Sequence, residues 1–303
     1  MSIIQIKDIC KSYGEAKALS HISVEINKNE LFGFIGPDGA GKTTLFRILA
    51  SLLLADSGSA NMSGLDVVKD YKVLRTQLGY MPGRFSLYQD LTVEENLNFF
   101  AGIFKTTVKE NYHLIADIYQ QIEPFKKRKA GDLSGGMKQK LALSCALIHK
   151  PEIILLDEPT TGVDAVSRME FWEMLNKLKQ QGITILVSTP YMDEASLCDR
   201  VALMQKGQLM GIDEPQKIVD LYSRKLVAVK ASNMYKLVNE LRLHPKCYSA
   251  YLFGEWIHYA SDLSIDTTEL QAFLQAKGIN DAQITAMKPS MEDSFMDLMT
   301  RNQ

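Results

Sequence analysis

Cysteine is scarce: the 303 residues hold only four, Cys10, Cys145, Cys198 and Cys247, and no two form a CxxC pair. Such spacing argues against a disulfide framework or a cysteine-rich zinc site and fits the reduced thiols of a cytosolic protein. Long apolar runs are also missing. LALSCALIHKPEIILL is broken at His149, Lys150, Pro151 and Glu152, short of the ~18 uninterrupted residues a membrane helix needs. The N-terminal MSIIQIKDICKSYG alternates apolar and polar residues like an edge strand and lacks the apolar core of a signal peptide. Any membrane role is therefore expected to act from the surface. A net charge of −2 leaves no electrostatic footprint for nucleic acid or an anionic membrane. Low-complexity segments, long internal repeats and sustained heptads are absent from the sequence.

What is present is an ordinary globular balance, 46% hydrophobic and 23% charged. Up to about residue 30 the pattern is β-rich. LFGFIG then reads as a buried strand entering a glycine loop, and TTLFRILASLL as the helix after it. Apolar positions between Glu94 and Lys129 recur at helical spacing. From Lys138 onward helices alternate with the strands IILLD, ITILVS and RVALMQ. This order predicts an α/β domain over residues 1–222: a parallel sheet covered by helices, with a helical subdomain at about 84–147. KKRK at 126–129 reads as a solvated turn. Residues 223–303 spell βαββαβ and a last short helix, a small ferredoxin-like α+β domain.

Residues 36–44, GPDGAGKTT, fit G-x-x-x-x-G-K-[ST] directly after a buried strand and before a helix, the context that gives this pattern meaning. The predicted nucleotide loop comprises Gly36, Pro37, Asp38, Gly39, Ala40, Gly41, Lys42, Thr43 and Thr44. Its backbone N–H groups would turn inward on a phosphate at the helix N-terminus. Lys42 would reach the β- and γ-phosphates, and the Thr43 hydroxyl would ligate Mg²⁺. The apolar strand IILLDEPT delivers two acids to its end. Asp157 would hold the metal shell, and Glu158 would act as general base on the attacking water. In ITILVST a buried strand ends at Thr189, which is expected to cap a helix whose first residue is Pro190, where proline's missing N–H costs nothing.

LSGGMKQK opens a helix with Ser134, Gly135 and Gly136, a common arrangement taken alone. Ahead of the acidic strand, it closely resembles the signature motif of the ATP-binding cassette (ABC) family, and the resemblance covers nearly all of residues 1–222. The resemblance implies ATP and Mg²⁺ as ligands and a head-to-tail dimer with a second cassette, identical or different. In it Ser134, Gly135 and Gly136 of one subunit close over ATP on the other. It also implies that Tyr13 in KSYG stacks on adenine, against its reading as an edge-strand tyrosine. Asp164 in TTGVDA would lie in the loop crossing the dimer interface, against its reading as a helix cap.

Two positions depart from the family's pattern. Where a histidine usually contacts the γ-phosphate stands Pro190, and where a glutamine follows LGYMP stands Gly83. With both sensors of the third phosphate gone, binding is expected to survive and hydrolysis to be weakened. Arg84 or a transmembrane partner is an alternative source of water positioning. The resemblance further implies an ATPase peripheral on the inner face of the cell membrane. It would dock on integral membrane permease subunits through RFSLYQDLTVEENL, with Phe85 and Tyr88 as candidate contacts. STPYMDEASLCDRV and the tail KPSMEDSFMDLM resemble stretches of drug-efflux and ABC-2-type export subunits, which favours export. The alternative is a soluble cassette ATPase acting on a protein or nucleoprotein complex, disfavoured by the single cassette and the near-neutral charge.

Overall fold

A computed structural model describes residues 2–301, which divide into two compact units, one ending at Pro215 and the other starting at Gln216. Strands β1 (Ser2–Tyr13) and β2 (Ala16–Asn27) pair antiparallel, and β3 (Leu31–Ile35), buried throughout, leads through the glycine loop to α1 (Lys42–Leu49). Strands β4 (Ser57–Met62) and β5 (Leu65–Asp66) complete a sheet of order β2-β1-β4-β5. β1 is thus an inner strand and not the edge its alternation suggested: its second side is taken by β4, from Ile4 opposite Met62 to Lys7 opposite Ser59.

Next come α2 (Tyr71–Gln77), β6 (Leu78–Met81), and the helices α3 (Val93–Ile103), α4 (Val108–Tyr119) and α5 (Gly135–Leu147). Local chemistry fixes where α3 and α4 begin. Thr92 with Glu95 and Thr107 with Glu110 form reciprocal capping boxes that satisfy otherwise orphaned N–H groups. KKRK lies in an exposed turn before α5, the Arg128 guanidinium over the Phe125 ring. The chain returns through β7 (Ile153–Asp157), α6 (Ala165–Gln180), β8 (Thr184–Thr189), β9 (Arg200–Gln205) and β10 (Gln208–Asp213). The second sheet runs β10-β9-β3-β8-β7-β6, parallel except for β10. Strands β3, β7 and β8 are buried on both faces, which is why they read as unbroken apolar runs. Phe34 packs edge-on against Phe46 of α1, ring centres 5.8 Å apart, and holds α1 against the sheet. Register sets Asp157 beside Ser188 and Ile35 beside Thr189, so the three strand ends open on one place.

Helix α7 (Pro215–Asp220) starts at the boundary, and the second unit continues with β11 (Lys225–Lys230), α8 (Met234–Arg242), β12 (Ser249–Phe253), β13 (Trp256–Ser261), α9 (Thr267–Ala276), β14 (Gln283–Ala286) and α10 (Met291–Arg301). The sheet is antiparallel with order β12-β13-β11-β14, the ferredoxin-like arrangement. Val227, Val229, Ile257 and Tyr259 pack against Leu237, Leu241, Leu270 and Leu274 of α8 and α9. The division falls before the 222/223 boundary read from sequence, since Tyr222 lies with Asp293 and Asp297 of α10. All cysteines are free, and burial pushes the thiols of Cys145 and Cys198 up. No helix among the described residues is long and apolar enough to cross a membrane.

Candidate nucleotide-binding site

The loop from Gly36 to Gly41 joins the C-terminal end of β3 to α1. A Cβ on Gly36 would lie 2.1 Å from the Met204 carbonyl oxygen, so no other residue fits there without movement. Gly41 N-caps α1 at φ 102°, and its Cβ would lie 2.4 Å from the Ala18 carbonyl oxygen. Two backbone bonds fix the loop: Gly36 N–H donates to Thr189 O (3.2 Å), and Gly207 N–H donates to Ala40 O (3.0 Å). Pro37, Asp38 and Gly39 are exposed, while Thr43 and Thr44 are half-buried.

Lys42, the first residue of α1, is 3% exposed. Its ammonium donates to the carbonyls of Gly36 (2.8 Å) and Pro37 (3.1 Å) and sits 3.4 Å from Glu158 Oε1. A buried cation with two neutral partners and one carboxylate at ion-pair range, at the positive end of a helix, makes a place for anionic oxygens. Asp157 is buried and receives two hydroxyls: Ser188 Oγ donates to its Oδ1 at 2.6 Å and Thr43 Oγ1 at 3.2 Å. The Tyr80 phenol is pushed up to about 12, first by burial and then by the charge of Asp157.

Glu158 takes the left-handed conformation at φ 50°, uncommon for a residue with a side chain, and its N–H is shared between Ser188 O and Ser188 Oγ, each at 3.0 Å. Strain of this kind, of order 1–3 kcal/mol, gathers at functional sites. Ser188 therefore touches both acids, a part that sequence reasoning missed; its only signal was its place two residues before Pro190. Thr43 and Asp157 bring together the hydroxyl and carboxylate oxygens that suit Mg²⁺, which shares its remaining positions with water and phosphate. Among the described residues no group of three or more His, Cys, Asp or Glu could hold a metal ion.

The two departures border this cluster. A Cβ on Gly83 would stand 3.0 Å from the Asp157 carbonyl oxygen and 3.8 Å from its Oδ2. Pro190 is half-buried at the end of β8, but no helix starts there, contrary to the sequence reading. A short 3₁₀ segment begins at Met192 with Tyr191 as N-cap. The Thr189 hydroxyl is already used locally: it accepts the Tyr191 N–H (3.1 Å) and donates to Glu194.

Tyr13 ends β1 and is 50% exposed, its ring free to stack, with Lys11 Nζ 5.9 Å from the ring centre. Ser134 N-caps α5, accepting the Met137 N–H at 3.4 Å. Cβ atoms on Gly135 and Gly136 would meet Gly162 O (3.1 Å) and Ser167 Oγ (2.8 Å), so the signature residues pack on the loop carrying Asp164. Asp164 caps α6, accepting the Ser167 N–H at 3.0 Å, which holds its carboxyl below the ordinary range. Val166 and Met169 beside it are strongly exposed.

An apolar cavity of about 250 Å³ opens beyond Gly83, lined by Tyr80, Pro82, Leu87, Phe100, Phe104 and His149 among others. His149 stacks on Phe104 and is pushed down to about 4 by burial. Phe85 and Tyr88 do not line it: Phe85 lies under Lys138, and Tyr88, half-exposed, packs edge-on against Phe99.

The sequence matches the ABC transporter family over residues 19–161. It is 38% identical over 287 residues to a probable multidrug ABC transporter ATP-binding protein of Escherichia coli, YbhF, covering 93% of this chain but 49% of that protein, so the chain spans about half that relative's length. The Nod factor export ATP-binding protein I of Rhizobium sp. (strain N33) is 30% identical over 303 residues, covering 98% of this chain and 97% of that protein. Among solved structures, a nucleotide-free ATP-binding cassette from an ABC transporter matches with a TM-score of 0.63 at 26% identity, over 71% of this chain and 92% of that one. A dimeric post-hydrolysis cassette bound to ADP and Pi also gives 0.63 at 26% identity, over 70% of this chain and 98% of that one. The phosphate loop closed by Lys42, the acids at the end of β7 and the likeness to whole relatives agree: this chain belongs to the ABC transporter family of ATP-binding proteins.

Proposed function

We propose that the chain binds ATP with Mg²⁺ between the phosphate loop and the end of β7, hydrolyses it slowly, and couples this cycle to export by separate membrane subunits. The convergence of Lys42, Thr43, Asp157 and Glu158 carries the reading. Lys42 and the N-terminus of α1 neutralise the β- and γ-phosphates, and Tyr13 receives the adenine. Thr43 and Asp157 hold the metal, which supplies charge neutralisation to the leaving phosphate. Glu158 takes the proton of the attacking water, its backbone fixed by Ser188. Gly83 and Pro190 offer no side-chain donor to the γ-phosphate. Removing one such contact elsewhere costs on the order of 10²- to 10³-fold in rate, hence slow turnover.

The signature residues Ser134, Gly135 and Gly136, with Asp164, serve a second cassette in a head-to-tail dimer. Ser134, Gly135 and Asp164 are exposed at the capped starts of α5 and α6, above the buried Gly136, which supports that role, with exposed Val166 and Met169 as neighbours. Two dimers fit, one of identical chains and one with a complementary cassette. The cavity next to Pro82 and Leu87 takes an apolar segment of an integral membrane subunit. Docked there, the chain sits on the inner face of the membrane in this reading. The names of the relatives, a probable multidrug transporter ATP-binding protein and a Nod factor export ATP-binding protein, support export over action on a soluble complex.

Purification from membranes with intact partners tests the assembly. Recovery with an integral membrane protein and loss of ATP binding in Lys42→Ala are expected; consistent recovery with ribosomes, or unchanged ATP binding in Lys42→Ala, would overturn the reading.

A further inference from the structure

We infer that Glu194 is a positioning residue of the nucleotide site: its buried carboxylate joins the loop after Glu158 to the strand end carrying Pro190, holding both in one relative position. The inference rests on the ATPase reading above.

Glu194 is 2% exposed, although it sits in a short 3₁₀ segment outside the strands. Its Oε1 accepts from Thr160 Oγ1 (2.7 Å) and Arg168 Nε (3.2 Å), and its Oε2 accepts from Thr189 Oγ1 (2.5 Å). Each donor comes from a segment that adjoins the site. Thr160, itself buried, lies two residues beyond Glu158 on the way to Asp164; Arg168 follows Asp164 on α6; Thr189 ends β8 beside Pro190. Thr189 also accepts the Tyr191 N–H, and the Arg168 guanidinium lies over the Tyr191 ring at 4.3 Å while pairing with Asp193 at 3.1 Å. Both neighbours of Pro190 are thereby fixed to the loop that begins at Glu158.

Mere filling of this space would be better served by an apolar side chain, because a carboxylate loses hydration on burial and regains it only through well-placed donors. Charge-assisted bonds are directional, and here they link separate segments and set their relative placement. The partners of Lys42, Thr43 and Tyr13 are Gly36, Pro37, Glu158, Asp157 and Lys11, so these groups are held by other side chains and carbonyls than Glu194. The node should therefore govern the chemical step and leave nucleotide affinity alone.

Glu194→Gln keeps the shape but replaces one accepting oxygen by a donor. In the full-length protein, kcat for ATP is expected to fall about tenfold while KM and ATP affinity stay within about twofold. Thr160→Val should give a smaller fall that disappears in the Glu194→Gln background, the signature of a shared network. Amide hydrogen exchange should rise together over 159–164 and 190–192. An unchanged kcat, an affinity loss parallel to kcat, or exchange confined to 192–197 would overturn the inference. Absence of turnover in the wild type would sink the ATPase reading, and exchange would still decide the role of Glu194. If Glu194→Gln does not fold, Thr160→Val and Thr189→Val measured separately and together answer the same question.

Discussion

In the unit ending at Pro215, the buried ammonium of Lys42 leans on two backbone carbonyls with Glu158 at 3.4 Å, whereas in the unit that follows, Arg224 meets Asp297 and Asp262 and lies over the Tyr248 ring at 3.4 Å. The second arrangement is closed. Asp297 also receives Arg301, and Asp293 takes His258 together with the N–H and hydroxyl of Ser290. These bonds pin α10 within its own unit and leave no charge for a ligand to answer. Around Lys42 and Asp157 the partners are mostly carbonyls and hydroxyls, weaker matches for full charges, which leaves charge that a phosphate and a divalent cation would answer. Buried charge is thus a functional signal where its partners are neutral and a structural one where they are charged.

The sharpest way to break this contrast is to remove a charge on each side. Glu158→Gln is expected to cut ATP turnover by roughly 10²- to 10³-fold with ATP binding retained, checked by steady-state hydrolysis beside equilibrium titration. Arg224→Met should do the reverse. Leaving Asp297 short of its main cation is expected to destabilise the second unit by about 3–5 kcal/mol, seen in denaturant unfolding, with ATP affinity unchanged. If Arg224→Met lost ATP binding, the division between functional and structural charge would fail.

A finer test lies at the two departures. Gly83→Gln should raise turnover less than Pro190→His, because its Cβ must push the Asp157 carbonyl from 3.0 Å before the side chain can help. Equal gains would show that this crowding is relieved at no cost. The smallest effect belongs to Asp164. The Ser167 N–H lowers its carboxyl in the folded state, so the folded protein binds that proton less readily than the unfolded chain. Its contribution is present above the ordinary carboxylate value and fades as pH falls through the lowered one. Asp164→Asn keeps the cap, and acid unfolding curves should show a shallower pH dependence.

The site was legible where its chemistry is contiguous. GPDGAGKTT, IILLDEPT and LSGGM each carry their own strand or helix context, and the strands around them are apolar enough to announce burial. What escaped was non-local. β1 alternates like an edge strand, yet β4, more than forty residues later, covers its other side, and alternation reports one buried face without saying how many neighbours a strand has. Pro190 suited the first turn of a helix, but Thr189 spends its hydroxyl on Tyr191 and Glu194 and the chain turns instead. Ser188, Thr160 and Glu194 carry no motif of their own. Their importance comes from partners thirty or so residues away, brought close by the parallel register of β7 and β8.

The central claim is that the chain retains the apparatus for holding ATP and lacks a side chain that completes hydrolysis at residue 190. Single-turnover hydrolysis by wild type and Pro190→His, each at saturating ATP with affinity measured in parallel, tests it most directly. The account predicts a rate about tenfold or more higher in Pro190→His at unchanged affinity. A wild type that already turns over briskly, with no gain from histidine, would contradict it and show that another group positions the water.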